Sequence, residues 1–449
     1  MNAFEAIVQE ITNSMAGRPK EKVPMSDVGV IALVPECWND GLFTTRQFVL
    51  SRLAYYFNVV WVNPARQWRQ AWFGRSGPSQ TKPRQAASWP GLTIYDGGRL
   101  LPCIYRPQVL SRLINRMQLW RAKKILSEKG CRKIVLYLWR PEFEEALNLV
   151  SHDVSLYHID DEYSFSDELC PPSDKEIRIL GRVNQVVIHS PLLMERKGVF
   201  NANTIEVPNG VDYPVYQVRY KEPSDLAAIA KPRIGYIGMI KNRLDLGLVL
   251  ELAILHRNWN FVFIGPQNGC NGTNPTLNRL FEQPNVHLLG RKPVSHLPAY
   301  TQHLDVGMLC YKITDYTNCI YPLKLHEYLA AGIPVVGTPI RSLQNFSGIV
   351  HLASGVEQWS DAINMLIDPA ASGEQAVRAR KEVAARHDWR LLSGKIAQAI
   401  CRQLGPGYLE RFERLRHEDF PSTKKTQMRS SAQSSPGVLT SITSAKGAD

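Results

Sequence analysis

The chain predicts an α/β fold of two parallel-sheet domains, and three observations carry that expectation. Short, nearly continuous apolar runs alternate with helical patterns along most of its 449 residues, as expected of strands buried on both faces beneath crossover helices. The alternation occurs in two blocks, with a plausible linker between them. The composition, 44% hydrophobic and 21% charged, is ample for two full cores.

The first block gives an N-terminal domain over residues 25–213. Val28–Pro35 reads as its first strand and Arg46–Phe57 as the helix behind it. Further strands are predicted at Val59–Val62, Leu92–Tyr95, Ile134–Leu138, Ser155–Ile159, Val186–Ile188 and Thr204–Val207, with a long helix at Gln108–Lys129. The linker is 214–231. The C-terminal domain, 232–388, opens with strand Arg233–Ile237. Helix Leu244–His256 follows, then strands Phe261–Ile264 and Val286–Leu289, helix His296–Gln302 and strand Val306–Leu309. A terminal amphipathic helix is expected over 389–418. Residues 1–24 form an N-terminal extension. The stretch 419–449 is rich in Ser, Thr and Lys, lacks aromatics beyond Phe420, and is read as a disordered tail.

Composition excludes several classes. No apolar run is long enough to span a bilayer, and the N-terminus has no secretory pattern, so the expected location is cytoplasmic. The eight cysteines are scattered without a CxxC pair or metal-ligand cluster, against a disulfide scaffold or a zinc site. A net charge of +12 suits nucleic acid, an anionic membrane or phosphorylated substrates. No nucleic-acid-binding motif is present.

The most informative run is Tyr321–Pro339, YPLKLHEYLAAGIPVVGTP. Pro322 suits a helix start, Gly332 a left-handed stop, and Pro334 bars continuation. Glu327 stands in this apolar helix one turn from Lys324, so its carboxylate is paired or directed at a ligand. This run resembles the nucleotide-binding helix of glycosyltransferases with two Rossmann-like domains facing across a cleft, the GT-B fold. The likeness is greatest to the retaining family-four type (glycosyl transferases group 1) of bacterial surface-polysaccharide assembly. The resemblance implies that Glu327 binds the ribose of a nucleotide sugar, UDP- or GDP-linked, and that the terminal helix crosses back to the first domain. Tyr321, Pro322, Leu323 and Lys324 would then face the donor at the helix start. In that family a second Glu often stands eight positions earlier; here the residue is Cys319. That departure leaves the donor sugar and the stereochemical outcome open.

Other motifs fit around it. The run from Arg233 to Asp245, RIGYIGMIKNRLD, ends a strand on Gly238 and leads through Lys241 and Arg243 to a helix, good geometry for a phosphate. Asp160, Asp161 and Glu162 follow an apolar strand directly, where ligands collect in open parallel sheets. The resemblance favours Asp161 and Glu162 as the catalytic pair, to steady the cationic sugar or take the acceptor proton. The competing reading is a DxD-type metal motif; no metal and no other cofactor is expected. Trp38, Asp40, Gly41, Arg140 and Asn209 are acceptor-side candidates. His189 and Ser190 are placed for ligand contact, though a satisfied core histidine is the commoner fate of such a residue. The segment Arg66–Arg75 interleaves arginines with Trp68, Trp72 and Phe73, and helix Gln108–Lys129 adds Arg112, Arg116 and Lys123, with Leu113, Ile114 and Met117 left for packing. Both suit an anionic membrane surface.

The expectation is therefore transfer of a sugar from a nucleoside diphosphate onto a glycan or polyprenyl-linked acceptor. A nucleotide-sugar 2-epimerase of similar fold is one alternative. A catalytically degenerate partner protein, suggested by Cys319, is the other.

Overall fold

A computed structural model describes residues 23–38, 44–65, 83–85, 89–97, 101, 108–163, 171–267 and 275–419. The expectations placed on Asp40, Gly41, Arg66–Arg75 and the two ends of the chain lie outside the described residues.

Two open sheets form. The first contains β1 (Val28–Leu33), β2 (Asn58–Val62), β3 (Arg84–Gln85), β4 (Leu92–Tyr95), β5 (Lys133–Leu138), β6 (Val154–Ile159), β7 (Gln185–Ile188) and β8 (Thr204–Glu206), in the order β3-β4-β2-β1-β5-β6-β7-β8. All neighbours are parallel except β3, which lies antiparallel on β4. The second sheet contains β9 (Arg233–Ile237), β10 (Asn260–Ile264), β11 (Val286–Gly290), β12 (Val306–Leu309), β13 (Val335–Gly337) and β14 (His351–Leu352), all parallel, in the order β11-β10-β9-β12-β13-β14. In each sheet the chain lays strands to one side and then to the other. The order reverses between β1 and β5 and between β9 and β12. Loops leaving those strands diverge there and open a crevice.

The interior strands are apolar on both faces because helices cover both. Val30, Val59, Val135 and Leu156 are fully buried in the first sheet, and Ile234, Phe261 and Val306 in the second. Helix Trp389–Leu404 returns to the first domain. Its Trp389, Leu392, Ile396 and Ile400 join one core with Val49, Leu50 and Leu53 of helix Thr45–Leu53, and Trp389 stacks on Phe48 with ring centroids 5.4 Å apart.

Several expected boundaries shift. The terminal helix is two helices, because Gly405 at φ 118° and Pro406 break it before Pro406–Asp419. The linker carries short helices at Tyr213–Gln217 and Ser224–Ala227. Helices Pro275–Phe281 and Glu374–Ala385 were not foreseen. Of the three residues assigned to packing on the long helix, now Gln108–Glu128, only Ile114 packs; Leu113 and Met117 face solvent.

Candidate active site

The site grows from the carboxyl end of β9, at the second sheet's switch point. Gly238 ends the strand at φ 151°, and a Cβ there would come within 2.5 Å of Lys324 Cε. The glycine thus lets a lysine from another element lie against the loop. Beyond the loop, Asp245 accepts a hydrogen bond from Leu248 N (3.1 Å) and starts helix Leu246–Leu255. That cap begins the helix two residues later than the apolar pattern predicts.

Lys324 comes from helix Leu323–Ala331, which runs from Pro322 at its N-cap to Gly332 at φ 83°. The helix is held by Tyr328, whose hydroxyl accepts from Ile237 N at 2.9 Å. Arg380 Nε donates to Gly332 O at 2.8 Å and satisfies the other end. Lys241, Arg243 and Lys324 are thereby gathered in one electrostatic cluster. Burial, then the charge of Arg243, pushes the Lys241 ammonium below its ordinary value, with Lys324 adding to the push and Asp161 opposing it. Burial likewise lowers Lys324, opposed by Glu327 and assisted by Arg243. The Arg243 Nε is buried without a hydrogen-bond partner. Burial raises the Glu327 carboxyl, partly offset by Lys324, and no hydrogen bond joins Glu327 to another described residue. Three partly desolvated cations that repel one another, beside an unbonded carboxylate, form a poor scaffold and a good anion receptor.

The first domain faces this cluster with the end of β6. Asp161 Oδ1 accepts from Tyr316 OH across the cleft at 3.1 Å, and from Glu162 N at 2.9 Å. Burial and the adjacent Asp160 raise its carboxyl above the ordinary range, while Arg243 and Tyr316 pull it down. The two acids beside it are engaged elsewhere. Asp160 Oδ1 accepts from Arg46 (2.8 Å) and Tyr163 (2.8 Å), and Arg46 also holds Glu36 at 2.7 Å. Glu162 is buried against Lys197 (3.1 Å), which is itself 2.9 Å from Glu176. The three carboxylates diverge to three different partners. The structure therefore brings Asp161 to the cleft and sets Glu162 into an ion cluster behind it.

The remaining sequence candidates divide similarly. Asn209 Oδ1 accepts from Thr45 at 2.8 Å and its Nδ2 donates to Tyr321 O at 2.7 Å, so it ties the donor helix to the first domain. Tyr321 packs: its hydroxyl is 3.0 Å from His326 Nε2 and its ring meets Phe346 edge-on. Leu323 packs against the first domain's core. Trp38 sits edge-on to Trp61 and Trp89. Arg140 lies 4.4 Å over the Tyr163 ring. His189 is buried, bonded to Ile159 O, and pushed down to about 4 by burial. Ser190 caps helix Pro191–Lys197. Cys319 is buried in the first domain's core cluster with Arg196 3.4 Å from its sulfur. Tyr316 is the cleft residue that sequence reasoning missed; it lies in a four-residue helix, Asp315–Asn318, with no periodic pattern to mark it.

Two sheets meeting carboxyl end to carboxyl end, with a glycine-ended β9 and a donor-type helix, define the two-domain GT-B class of glycosyltransferase fold. Within it, residues 231–368 match the family described as Glycosyl transferases group 1. A curated relative, TuaH of Bacillus subtilis (strain 168), a glycosyltransferase named for teichuronic acid biosynthesis, is 33% identical over 175 residues. That match spans 37% of this chain and 43% of the relative's length. Among solved structures, a glycosyltransferase from Rickettsia africae ESF-5 superposes with a TM-score of 0.58 at 11% identity, covering 84% of this chain and 99% of that one. The UDP-forming alpha,alpha-trehalose-phosphate synthase of Burkholderia vietnamiensis gives 0.58 at 13% identity, covering 84% and 97%. At such identities the structures establish the fold.

Proposed function

We propose that the protein transfers a sugar from a nucleoside diphosphate donor, UDP- or GDP-linked, to a glycan or lipid-linked acceptor in polysaccharide assembly at the cytoplasmic face of the envelope. The observation that carries this reading is the cation cluster Lys241, Arg243 and Lys324 around Gly238, with Glu327 one turn further along the same helix as Lys324. A diphosphate relieves the repulsion among the three cations, and Glu327 is free to accept from ribose hydroxyls. The family match and the polysaccharide role in the relative's name point the same way.

In the reaction, the bond from the anomeric carbon to the diphosphate oxygen breaks, and the leaving group gains negative charge. Lys241, Arg243 and Lys324 stabilise that charge where it develops. The acceptor hydroxyl supplies the new bond to the anomeric carbon. Asp161, the carboxylate of the first domain aimed at the cleft, steadies the positive sugar or takes the acceptor's proton. No metal is assigned a role, since the cations already present oppose the diphosphate charge.

The test is calorimetric titration of the protein with UDP and GDP beside uridine and guanosine, followed by product analysis with sugar nucleotides. A diphosphate preference of at least tenfold over the nucleoside, with sugar transfer, supports the reading. Epimer formation without an acceptor assigns the epimerase instead. Donor binding with neither hydrolysis nor transfer assigns the degenerate partner, the reading that Cys319, buried where the family often has Glu, favours.

A further inference from the structure

Helix Gln108–Glu128 has two apolar faces, and only one is used. Ile114, Leu119, Ala122 and Leu126 are buried against the first sheet. On the opposite side Val109 is 78% exposed, Leu113 53%, Met117 41% and Trp120 59%. These four are spaced by four, four and three residues, which puts them on one stripe at about 100° per residue. A continuous exposed stripe with an aromatic in it is uncommon on a free surface and marks a contact.

Charge says what it contacts. The helix carries Arg112, Arg116, Arg121, Lys123 and Lys124 against a single acid, Glu128. Arg112, Arg116 and Lys123 border the stripe on one side. Lys124 lies within it, 5.6 Å over the Trp120 ring. Three contacts temper the charge: Arg112 with Glu145 at 3.3 Å, Lys124 with Glu128 at 4.0 Å, and Lys123, whose Nζ donates to Ser151 O at 2.9 Å, all exposed and therefore weak. No acid interrupts the stripe. A second copy of the same helix would meet it with like charge. Among the described residues no helix is long and apolar enough to cross a membrane, so this helix suits the plane of an interface, with basic side chains reaching headgroups around buried apolar ones.

We propose that the exposed face of helix Gln108–Glu128 docks the first domain on an anionic bilayer, with Val109, Leu113, Met117 and Trp120 entering the headgroup boundary. Topology gives the contact a direction. The helix joins β4 to β5, which run in the same direction as β2 and β1 between them in one sheet, so it runs back from the strands' carboxyl ends. Its N-terminal end therefore lies on the side where the cleft opens, and a lipid-borne substrate would meet the cleft's rim from the membrane.

The experiment is co-sedimentation of the full chain with vesicles of phosphatidylcholine alone, or of equal parts phosphatidylcholine and phosphatidylglycerol, at low and high salt. The variants are Leu113→Ser/Trp120→Ser and Arg116→Glu/Lys124→Glu. All four positions are exposed, and thermal unfolding checks that the variants fold, independently of docking and of donor binding. Expected is binding to the anionic vesicles only, weakened by salt, abolished by the apolar pair and reduced roughly fivefold per basic residue lost. Absence of vesicle binding overturns the proposal. So does binding that ignores lipid charge, or that survives both double variants. A dimer by light scattering that Leu113→Ser/Trp120→Ser dissolves would also overturn it and assign the face to a second copy.

Discussion

The acids that follow β6 and the bases that follow β9 both stand at the carboxyl end of a strand, one in each domain, yet their charges are treated differently. Asp160 is held by Arg46 and Tyr163, and Glu162 by Lys197. Lys241 and Lys324 are each pushed down by burial and by Arg243, against Asp161 and Glu327, while Arg243, against its own burial, is pulled up by Tyr311, Tyr236, Tyr316 and Asp161. A satisfied charge cluster tightens a fold. A cluster of like charges costs stability and is kept where something else neutralises it. The difference separates scaffold from site more clearly than residue type does.

The largest effect expected from this contrast is on the scaffold side. Lys197→Met leaves Glu162 and Glu176 buried without their shared cation, and should cost about 3–5 kcal/mol in denaturant unfolding. An unfolding curve matching the parent's would mean that Glu162 is less committed to the interior than its position indicates.

Asp161→Asn probes the one acid that escapes the scaffold. Turnover should drop roughly 10²–10⁴-fold with donor affinity nearly unchanged. Burial and Asp160 raise this carboxyl. If its ionised form is required, turnover in the parent rises with pH through that raised value, above the usual carboxylate range. Steady-state rates across acid pH check this, and an identical acid limb in the variant would remove Asp161 from the chemistry.

On the receptor side, Arg243→Ala or Lys324→Ala should each weaken UDP binding by roughly 1.5–3 kcal/mol and leave uridine unaffected. The lysines sit below their ordinary value and the anion favours their charged forms. UDP affinity should therefore fall, as pH rises, sooner than for an ordinary lysine. Equal losses for UDP and uridine would assign the cluster to structure.

Glu327→Ala gives the smallest change, about 1.5 kcal/mol, and it should weaken UDP and uridine alike, since it addresses the ribose. A loss confined to UDP would place the carboxylate at the phosphates.

Much of this was legible in the sequence. Fully buried parallel strands announce themselves as apolar runs, and Pro322 with Gly332 bracket the donor helix to within one residue. Helix Glu374–Ala385 escaped because its buried side rests on Ala384 and the stem of Arg380 rather than on large apolar residues. The roles of Asp161 and Glu162 could not be separated from sequence. They are neighbours of like chemistry, told apart by Lys197, from a later helix, and Tyr316, from the other domain. Asn209 and Tyr321 were read as ligand contacts, and each has its polar side-chain groups bonded within the protein. The long helix was read with too much packing, since a helix apolar on two sides gives no sequence sign of which side the sheet takes.

The returning helix has a consequence for the order in which the molecule is made. Trp389, Leu392, Ile396 and Ile400, joined by Ala397, Cys401 and Phe412 from the same stretch, complete a core whose remaining buried members lie between Met25 and Val207. A ribosome delivers the whole second domain before it delivers those side chains. The first domain must therefore wait, its helix Thr45–Leu53 facing an unfilled apolar seam, until helix Trp389–Leu404 has been made. That helix acts as a closing stitch between distant parts of the chain, and fragments divided at the linker would separate the first domain from part of its own interior.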